Sequence, residues 1–124
     1  MIDIIISTHG NLGQAYINSA EAILGKKQNL HFIGLHPSDG IENLEESLSA
    51  LPFSKEKLCL VDIPGGSPSR AIMEKFAEDH GAEIISGINL EMLLTAIKSR
   101  DNCDCHTLSK RVIKMANDSI KELK

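Results

Sequence analysis

The sequence has few of the features that mark several large classes of protein. No cluster of Lys and Arg stands out in a chain of net charge −4, so nucleic acid is not an expected partner. No apolar run approaches the ~20 residues that a membrane-spanning helix needs. The first residues lack the basic start and apolar core of a signal peptide, which favours a cytoplasmic protein. The G-x-G-x-x-G and G-K-[ST] signatures are absent, which argues against a simple nucleotide-binding domain.

Cysteine is scarce, with three residues, an odd count. Cys59 lies inside an apolar strand-like run and is interpreted as a small buried hydrophobe. Residues 103–106, "CDCH", look like half of a metal site, but no second ligand pair follows at zinc spacing. We therefore favour a mobile polar loop in which the thiols of Cys103 and Cys105 are reduced, and we expect no metal and no cofactor.

What the sequence does contain is a regular alternation of strand-like and helix-like runs, which indicates one domain over residues 1–124. Apolar, β-branched runs predict strands at residues 3–7, 30–35, 58–63 and 82–88. Helical spacing of apolar residues predicts helices at residues 12–24, 41–51, 67–81, 90–100 and 107–124. The final residues of the last segment are equally compatible with leaving the helix. Ser67 and Pro68 are interpreted as the N-cap and first position of the third helix. This alternation predicts a doubly wound α/β fold, with a mainly parallel four-stranded sheet of order 2-1-3-4 and helices on both faces.

An imidazole and a carboxylate stand where two neighbouring strands of this sheet end. In such folds the ligand crevice lies at the carboxyl ends of the strands where the strand order reverses, here between strands one and three. His9 follows strand one and Asp62 lies at the end of strand three. A strand spacing of ~5 Å would bring them within hydrogen-bonding reach. The carboxylate would then fix the ring proton on one nitrogen and leave the other as a nucleophile or base.

The glycines around this pair suggest what meets the histidine. Gly65 and Gly66 let the backbone turn its N–H groups inward, and Ser67 adds a hydroxyl at the start of the third helix. Gly10 leaves the amides at the start of the first helix similarly open. Two helix amino-termini aimed at one histidine form an anion site suited to a phosphoryl group. No Lys or Arg is clearly built in, although Arg70 is within range on the helix.

Each part of this pattern is ambiguous alone, because glycine pairs mark many tight turns and single histidines are often structural. The combination at one crevice favours a functional site. The other four histidines lack such company and are interpreted as structural: His31, His36, His80 and His106.

Three segments of the chain resemble one known family. "IIISTHG", "LVDIPGGSP" and "GINLEMLL" look like the enzyme IIA domain of the mannose/fructose/sorbose family of the bacterial phosphoenolpyruvate-dependent sugar phosphotransferase system (PTS). The match spans essentially the whole chain, and T-H-G together with D-x-x-G-G-S-P is far more specific than either motif.

The resemblance implies a phosphotransferase that acts as a phosphocarrier. His9 would be phosphorylated on Nε2 by HPr and dephosphorylated by an enzyme IIB domain, with sugar uptake through membrane IIC and IID components. Asp62 would orient His9, while Ser67 and the amides of Gly65 and Gly66 would hold the phosphoryl oxygens. The resemblance also implies a homodimer, with an extra antiparallel carboxyl-terminal strand exchanged between subunits, and peripheral association with the membrane complex.

The chain departs from this family in two places, and two other functions remain open. Pro64 stands where a bulky aromatic is common, and the tail after Ile120 is short. A regulatory module, or a phosphate donor to dihydroxyacetone kinase, has the same fold, but that relative typically reads S-H-S where this chain has T-H-G. A histidine phosphatase usually needs an arginine directly before the histidine, where this chain has Thr8, and a second catalytic histidine.

Overall fold

The computed structural model describes residues 1–35, Glu46 and residues 53–124. Its strands are β1 (Asp3–His9), β2 (Leu30–Leu35), β3 (Lys57–Val61) and β4 (Ala82–Ile85). The helices in the described ranges are α1 (Leu12–Leu24), α2 (Ser67–Lys75), α3 (Leu90–Ser99) and α4 (Cys105–Ser119). His36 and the helix predicted over residues 41–51, apart from Glu46, lie outside the described residues.

The four strands form one sheet in the order β2-β1-β3-β4, and every neighbouring pair is parallel. This confirms the predicted strand order. β1 lies between β2 and β3, and its residue Ile4 is in register with Leu30 on one side and Leu58 on the other. Because parallel strands all end at the same edge, the carboxyl ends of β1 and β3 lie side by side.

Helices cover both faces of the sheet, as predicted. Successive side chains of a strand point to opposite faces, so Ile4 and Ile6 pack with α1, α3 and α4, whereas Ile5 packs on the opposite face with Ala71 and Ile72 of α2. All three isoleucines of β1 are fully buried. The central strand is thus anchored from both sides, which gives a rigid base to the residue at its end.

The strand boundaries differ from the prediction at four ends, and the smallest difference is that β3 begins at Lys57 instead of residue 58. β1 continues to His9 instead of residue 7, because its pairing with β2 extends to the last register position, His9 with Leu35. β3 ends at Val61 instead of residue 63, so Asp62 directly follows the strand. β4 ends at Ile85 instead of residue 88, since Gly87 adopts a left-handed φ of +78° and turns the chain.

The prediction for the start of α2 was wrong by one residue. Gly66 is the N-cap, in an extended conformation, and Ser67 is already helical. The Gly66 N–H donates to the Ile63 carbonyl at 3.1 Å and closes a turn just before the helix. The helix also ends at Lys75 rather than at residue 81, and another turn follows at Phe76.

The interpretation of the "CDCH" stretch as a mobile loop was wrong for its second half. Cys105 begins α4 and is buried, and its thiol donates to the Lys57 carbonyl at 3.0 Å. Asp104 caps the helix by accepting from the Thr107 N–H at 2.7 Å. Burial raises the pKa of the Cys105 thiol to about 12. All three cysteines are free, as expected, and no cluster of three metal-binding side chains occurs within the described ranges.

Candidate functional site

The carboxyl ends of β1 and β3 bring a histidine and an aspartate into direct contact. His9 is the last residue of β1, and its Nδ1 lies 2.9 Å from Oδ2 of Asp62. The same carboxylate oxygen accepts the His9 backbone N–H, also at 2.9 Å. The predicted proximity of these two residues is confirmed. The double contact fixes both the backbone and the ring of His9 relative to β3.

Asp62 is held in its ionised form. Its side chain is 9% exposed, and its second oxygen accepts the Ile63 N–H at 2.9 Å. Burial acts to raise the Asp62 pKa, but the hydrogen bonds from His9 and Ile63 outweigh it and hold the pKa below its ordinary value of 3.8. An ionised carboxylate only accepts hydrogen bonds, so Nδ1 of His9 must be the donor. In the neutral ring, Nε2 therefore has the lone pair.

The Nε2 side of the His9 ring is open. The His9 side chain is 48% exposed, and none of its recorded hydrogen bonds in the described part of the chain involves Nε2. Two apolar residues close to His9 and Asp62 in the chain have side chains that are about half exposed. Leu12 is 46% exposed and Ile63 is 54% exposed. The site thus presents the Nε2 lone pair to solvent, with exposed apolar residues close to it in the chain.

The two glycines before α2 have different functions in shaping the site. A Cβ at Gly66 would lie 3.0 Å from Cε1 of His9, the ring carbon between the two nitrogens, and 3.3 Å from the Ile63 carbonyl oxygen. Gly66 therefore allows the backbone to approach the ring. Gly65 has open space around it but a φ of +80°, a conformation that disfavours other residues.

The start of α2 offers donors without an internal acceptor. The N-cap makes no side-chain hydrogen bond to the helix, and the first turn has no acidic residue. Ser67 is half-buried. Unpaired amides at a helix start are partly positive and bind anions. Of the predicted anion-binding groups, Gly66 lies directly against the His9 ring, and Gly65 and Ser67 are its neighbours in the chain.

The start of α1 is less open than predicted, and sequence reasoning missed the reason. Gly10 has a left-handed φ of +56°, but the Gly13 N–H in the first turn donates to the Thr8 hydroxyl at 2.8 Å. Thr8 is fully buried, and the N-cap residue Asn11 makes no side-chain cap bond. The sequence does contain a signal for this bond, because Thr8 places a hydroxyl at a strand end just before a helix. Thr8 therefore fixes the turn that follows His9.

The other described histidines lie away from this pair. His31 of β2 bonds to Asp3 through Nε2 at 2.8 Å, and His106 of α4 bonds to Glu83 at 3.0 Å. His80 is exposed in the turn after α2. Sequence reasoning did not anticipate either carboxylate partner, since each comes from a distant part of the chain.

Comparison with known proteins identifies the relatives of this chain. A family model described as the PTS system fructose IIA component matches residues 3–113. The PTS system fructose-specific EIIA component of Bacillus subtilis is 33% identical, over 98% of this chain and 86% of that protein. The PTS system mannose-specific EIIAB component of Escherichia coli is 34% identical over 82% of this chain. That match covers 32% of the relative, so this chain spans about a third of its length.

Solved structures give the same result. An EIIA phosphotransferase component from Streptococcus agalactiae superposes with a TM-score of 0.91 at 29% identity, over 98% of this chain and 97% of that one. A mannose/sorbose-specific IIA subunit from Enterococcus faecalis has a TM-score of 0.87 at 19% identity, over 99% and 95% of the two chains, and supports the fold alone. Within the described ranges, no helix combines the length and hydrophobicity of a membrane-spanning segment.

Proposed function

This chain belongs to the family of PTS fructose IIA components, and from that premise we propose that it is a phosphocarrier whose phosphorylated residue is His9. The group would come from phosphorylated HPr and pass to an enzyme IIB domain, for sugar uptake through the membrane IIC and IID components. The main support is the pairing of His9 Nδ1 with Asp62 at 2.9 Å, which leaves Nε2 as the free nucleophile. We further propose that residues 1–124 form a single IIA domain that functions in the cytoplasm.

Phosphoryl transfer to His9 is a displacement at phosphorus. The Nε2 lone pair forms the new N–P bond while the P–N bond of the donor imidazole breaks, and its electron pair returns to the donor ring. The proton on Nδ1 stays in place, hydrogen-bonded to Asp62. Since phosphorylation at Nε2 makes the His9 ring cationic, the adjacent carboxylate stabilises the product. Transfer to the IIB domain reverses these steps.

The phosphoryl oxygens would be bound by neutral donors. The Gly65 amide, the Ser67 hydroxyl and the backbone at Gly10 are groups we propose for this role. The Gly66 amide would join them by sharing its N–H between the Ile63 carbonyl and a phosphoryl oxygen. In the transition state, negative charge spreads over three equatorial oxygens, and positioned donors stabilise it. Neutral donors suit a group that must also leave, because several ionic contacts would trap it.

The homodimer remains part of this proposal. Residues 120–124 follow α4 without helical structure, and Ile120 and Leu123 are 78% and 94% exposed. In the described part of the sheet, β4 pairs only with β3, so its outer edge has no strand partner. Ile120 lines a cavity together with Ile85 at the end of β4, and an open sheet edge with exposed apolar residues nearby favours pairing with a second copy. Light scattering of the chain, with and without residues 120–124, measures the oligomeric state directly.

Labelling with purified partners tests the phosphocarrier function. The chain is incubated with phosphoenolpyruvate, enzyme I and HPr, and intact mass spectrometry detects an acid-labile phosphoryl group. We expect one group per chain in the wild type and none in His9→Gln. His80→Gln is the matched control, because it removes an exposed histidine far from the pair. Circular dichroism confirms that each variant is folded.

Two results would contradict the proposal. Labelling that persists in His9→Gln would move the phosphorylated residue elsewhere. A folded wild-type chain that takes no label from phosphorylated HPr would rule out the phosphocarrier function itself.

A further inference from the structure

We propose that Arg70 is an additional catalytic residue of this site, whose guanidinium contacts the oxygens of the phosphoryl group in transit. This inference rests on the proposed function. Arg70 is the fourth residue of α2 and is exposed. Within the described ranges, no hydrogen bond or ion pair of its side chain is recorded. Its five N–H donors are therefore available to a ligand.

Arg70 lies on the same face of α2 as Gly66, the residue that approaches the His9 ring. Its backbone N–H donates to the carbonyl of Gly66 at 2.9 Å, so Arg70 lies one helical turn, or ~6 Å along the axis, beyond the residue that contacts the His9 ring. Side chains of a helix lean towards its amino terminus and cover the preceding turn. Because Arg70 follows Gly66 by four residues, the two positions share a helix face, and the long Arg70 side chain can reach the surface over Gly66 and Ser67. That surface borders Cε1 of His9, the ring atom bonded to Nε2.

The electrostatics of α2 are unfavourable without an anion. The amino terminus of a helix is partly positive, so a cation in the first turns costs stability, whereas an acid would add to it. The first turn of α2 has no acid. A helical ion pair is stronger when the acid precedes the base by four residues, whereas Glu74 follows Arg70 by four. Arg70 and Glu74 form no ion pair. A doubly negative phosphoryl group beside His9 would compensate both Arg70 and the helix terminus.

The guanidinium is suited to this role. It remains charged at any physiological pH and can contact two phosphoryl oxygens at once through its planar fork of N–H groups. As the new bond to Nε2 forms and the donor N–P bond breaks, the oxygens hold the developing charge. Arg70 would then add a single mobile cation to the neutral amides. One flexible, exposed cation assists transfer without the trapping that several fixed cations would cause.

A protein donor and a small donor together test the proposal. Single-turnover labelling of His9 is followed over a range of phosphorylated HPr concentrations up to saturation and, separately, with phosphoramidate, whose P–N bond breaks to release ammonia. The variants are Arg70→Gln and Arg70→Lys. Arg111→Gln is the matched control, since Arg111 is an exposed arginine of α4 with no recorded partner in the described part of the chain.

We expect Arg70→Gln to slow labelling roughly tenfold to a hundredfold with both donors, as the loss of a hydrogen bond to a charged group implies. Arg70→Lys should regain part of that loss, because it keeps the charge but not the fork. Arg111→Gln should label at the wild-type rate.

Two outcomes would overturn the role of Arg70. The first is equal labelling of Arg70→Gln and Arg111→Gln by phosphoramidate. The second is a change confined to the HPr concentration at half-maximal rate, since that indicates contact with the partner protein instead. Failure of the proposed function is distinct: wild-type His9 would then react with phosphoramidate but not with phosphorylated HPr, and the phosphoramidate rates would still test Arg70.

Discussion

The substitution Asp62→Asn separates the orienting role of the carboxylate from its size. Asparagine has nearly the same shape but only one oxygen acceptor, whereas the Asp62 carboxylate accepts from His9 twice and from Ile63 once. If the amide oxygen replaces Oδ2, the NH₂ group faces the Ile63 N–H. If the amide is reversed, the NH₂ group faces both His9 donors. At least one donor therefore loses its acceptor in either orientation.

The size of the effect follows from these contacts. A lost hydrogen bond to a charged group costs about 1.5–3 kcal/mol. The negative charge that stabilises the phosphorylated ring is also lost; at ~4 Å and an effective dielectric constant of ~20 this attraction is about 4 kcal/mol. Water screens the half-exposed His9 ring and weakens this attraction. We therefore base the expected effect on the hydrogen-bond cost of about 1.5–3 kcal/mol. We expect Asp62→Asn to slow phosphoryl transfer roughly tenfold to a hundredfold.

Rapid-quench measurement of transfer from phosphorylated HPr gives the rate, and chemical denaturation gives the stability. Asp118→Asn is the control, because it removes an exposed carboxylate in a surface ion pair that contributes little. Unchanged transfer in a folded Asp62→Asn chain would refute the orienting role. Because the Asp62 pKa is lowered in the folded state, its contribution to stability is present above the unfolded value of 3.8 and is lost as the pH falls.

Four other substitutions test the surrounding structure. Gly66→Ala should slow transfer roughly tenfold with little loss of stability, because its Cβ would lie 3.0 Å from the His9 ring. Gly65→Ala should instead cost about 1–2 kcal/mol of stability, because Gly65 has a φ of +80°. The reverse pattern in transfer rates and denaturation curves would contradict both predictions. Thr8→Val should lower the unfolding free energy by about 1–2 kcal/mol, since a first-turn amide of α1 loses its acceptor; an unchanged denaturation midpoint would disprove this. Burial acts to raise the Asp3 pKa, but its hydrogen bonds lower the pKa overall. The stability difference between wild type and Asp3→Asn should therefore shrink below about pH 4. A difference that stays constant down to pH 3 would contradict this prediction.

The sequence was sufficient to predict the sheet and the central pair because both depend on local patterns. Buried apolar runs at regular spacing determine the strands, and the chirality of crossovers leaves few arrangements of four parallel strands. Once β1 and β3 are neighbours, His9 and Asp62 must lie close together. No side-chain detail is needed for that step, which is why the contact was predicted correctly.

The details that sequence reasoning missed depend on contacts between distant segments. The Thr8 hydroxyl accepts from the start of α1 only because the intervening turn folds back over the strand end. Cys105 was interpreted as part of a loop because its neighbours are polar, yet its backbone N–H donates to the Glu56 carboxylate at 2.9 Å, and its thiol is buried. Local polarity gave no sign of these partners, which are separated from Cys105 by about 50 residues of chain.

β1 has a histidine–carboxylate pair near each end, and the two pairs differ in the features that the proposed function needs. At the start of the strand, Asp3 accepts from His31 and from the backbone of Ser54, and the His31 ring packs edge-on against Phe53. The His31 side chain is 24% exposed, half the value for His9. The same two chemical groups thus serve as a packed link there and as an open nucleophile at the other end. In the proposed phosphocarrier, chemistry at His9 would use the glycine backbone beside its ring and the amides at the start of α2, in addition to the carboxylate.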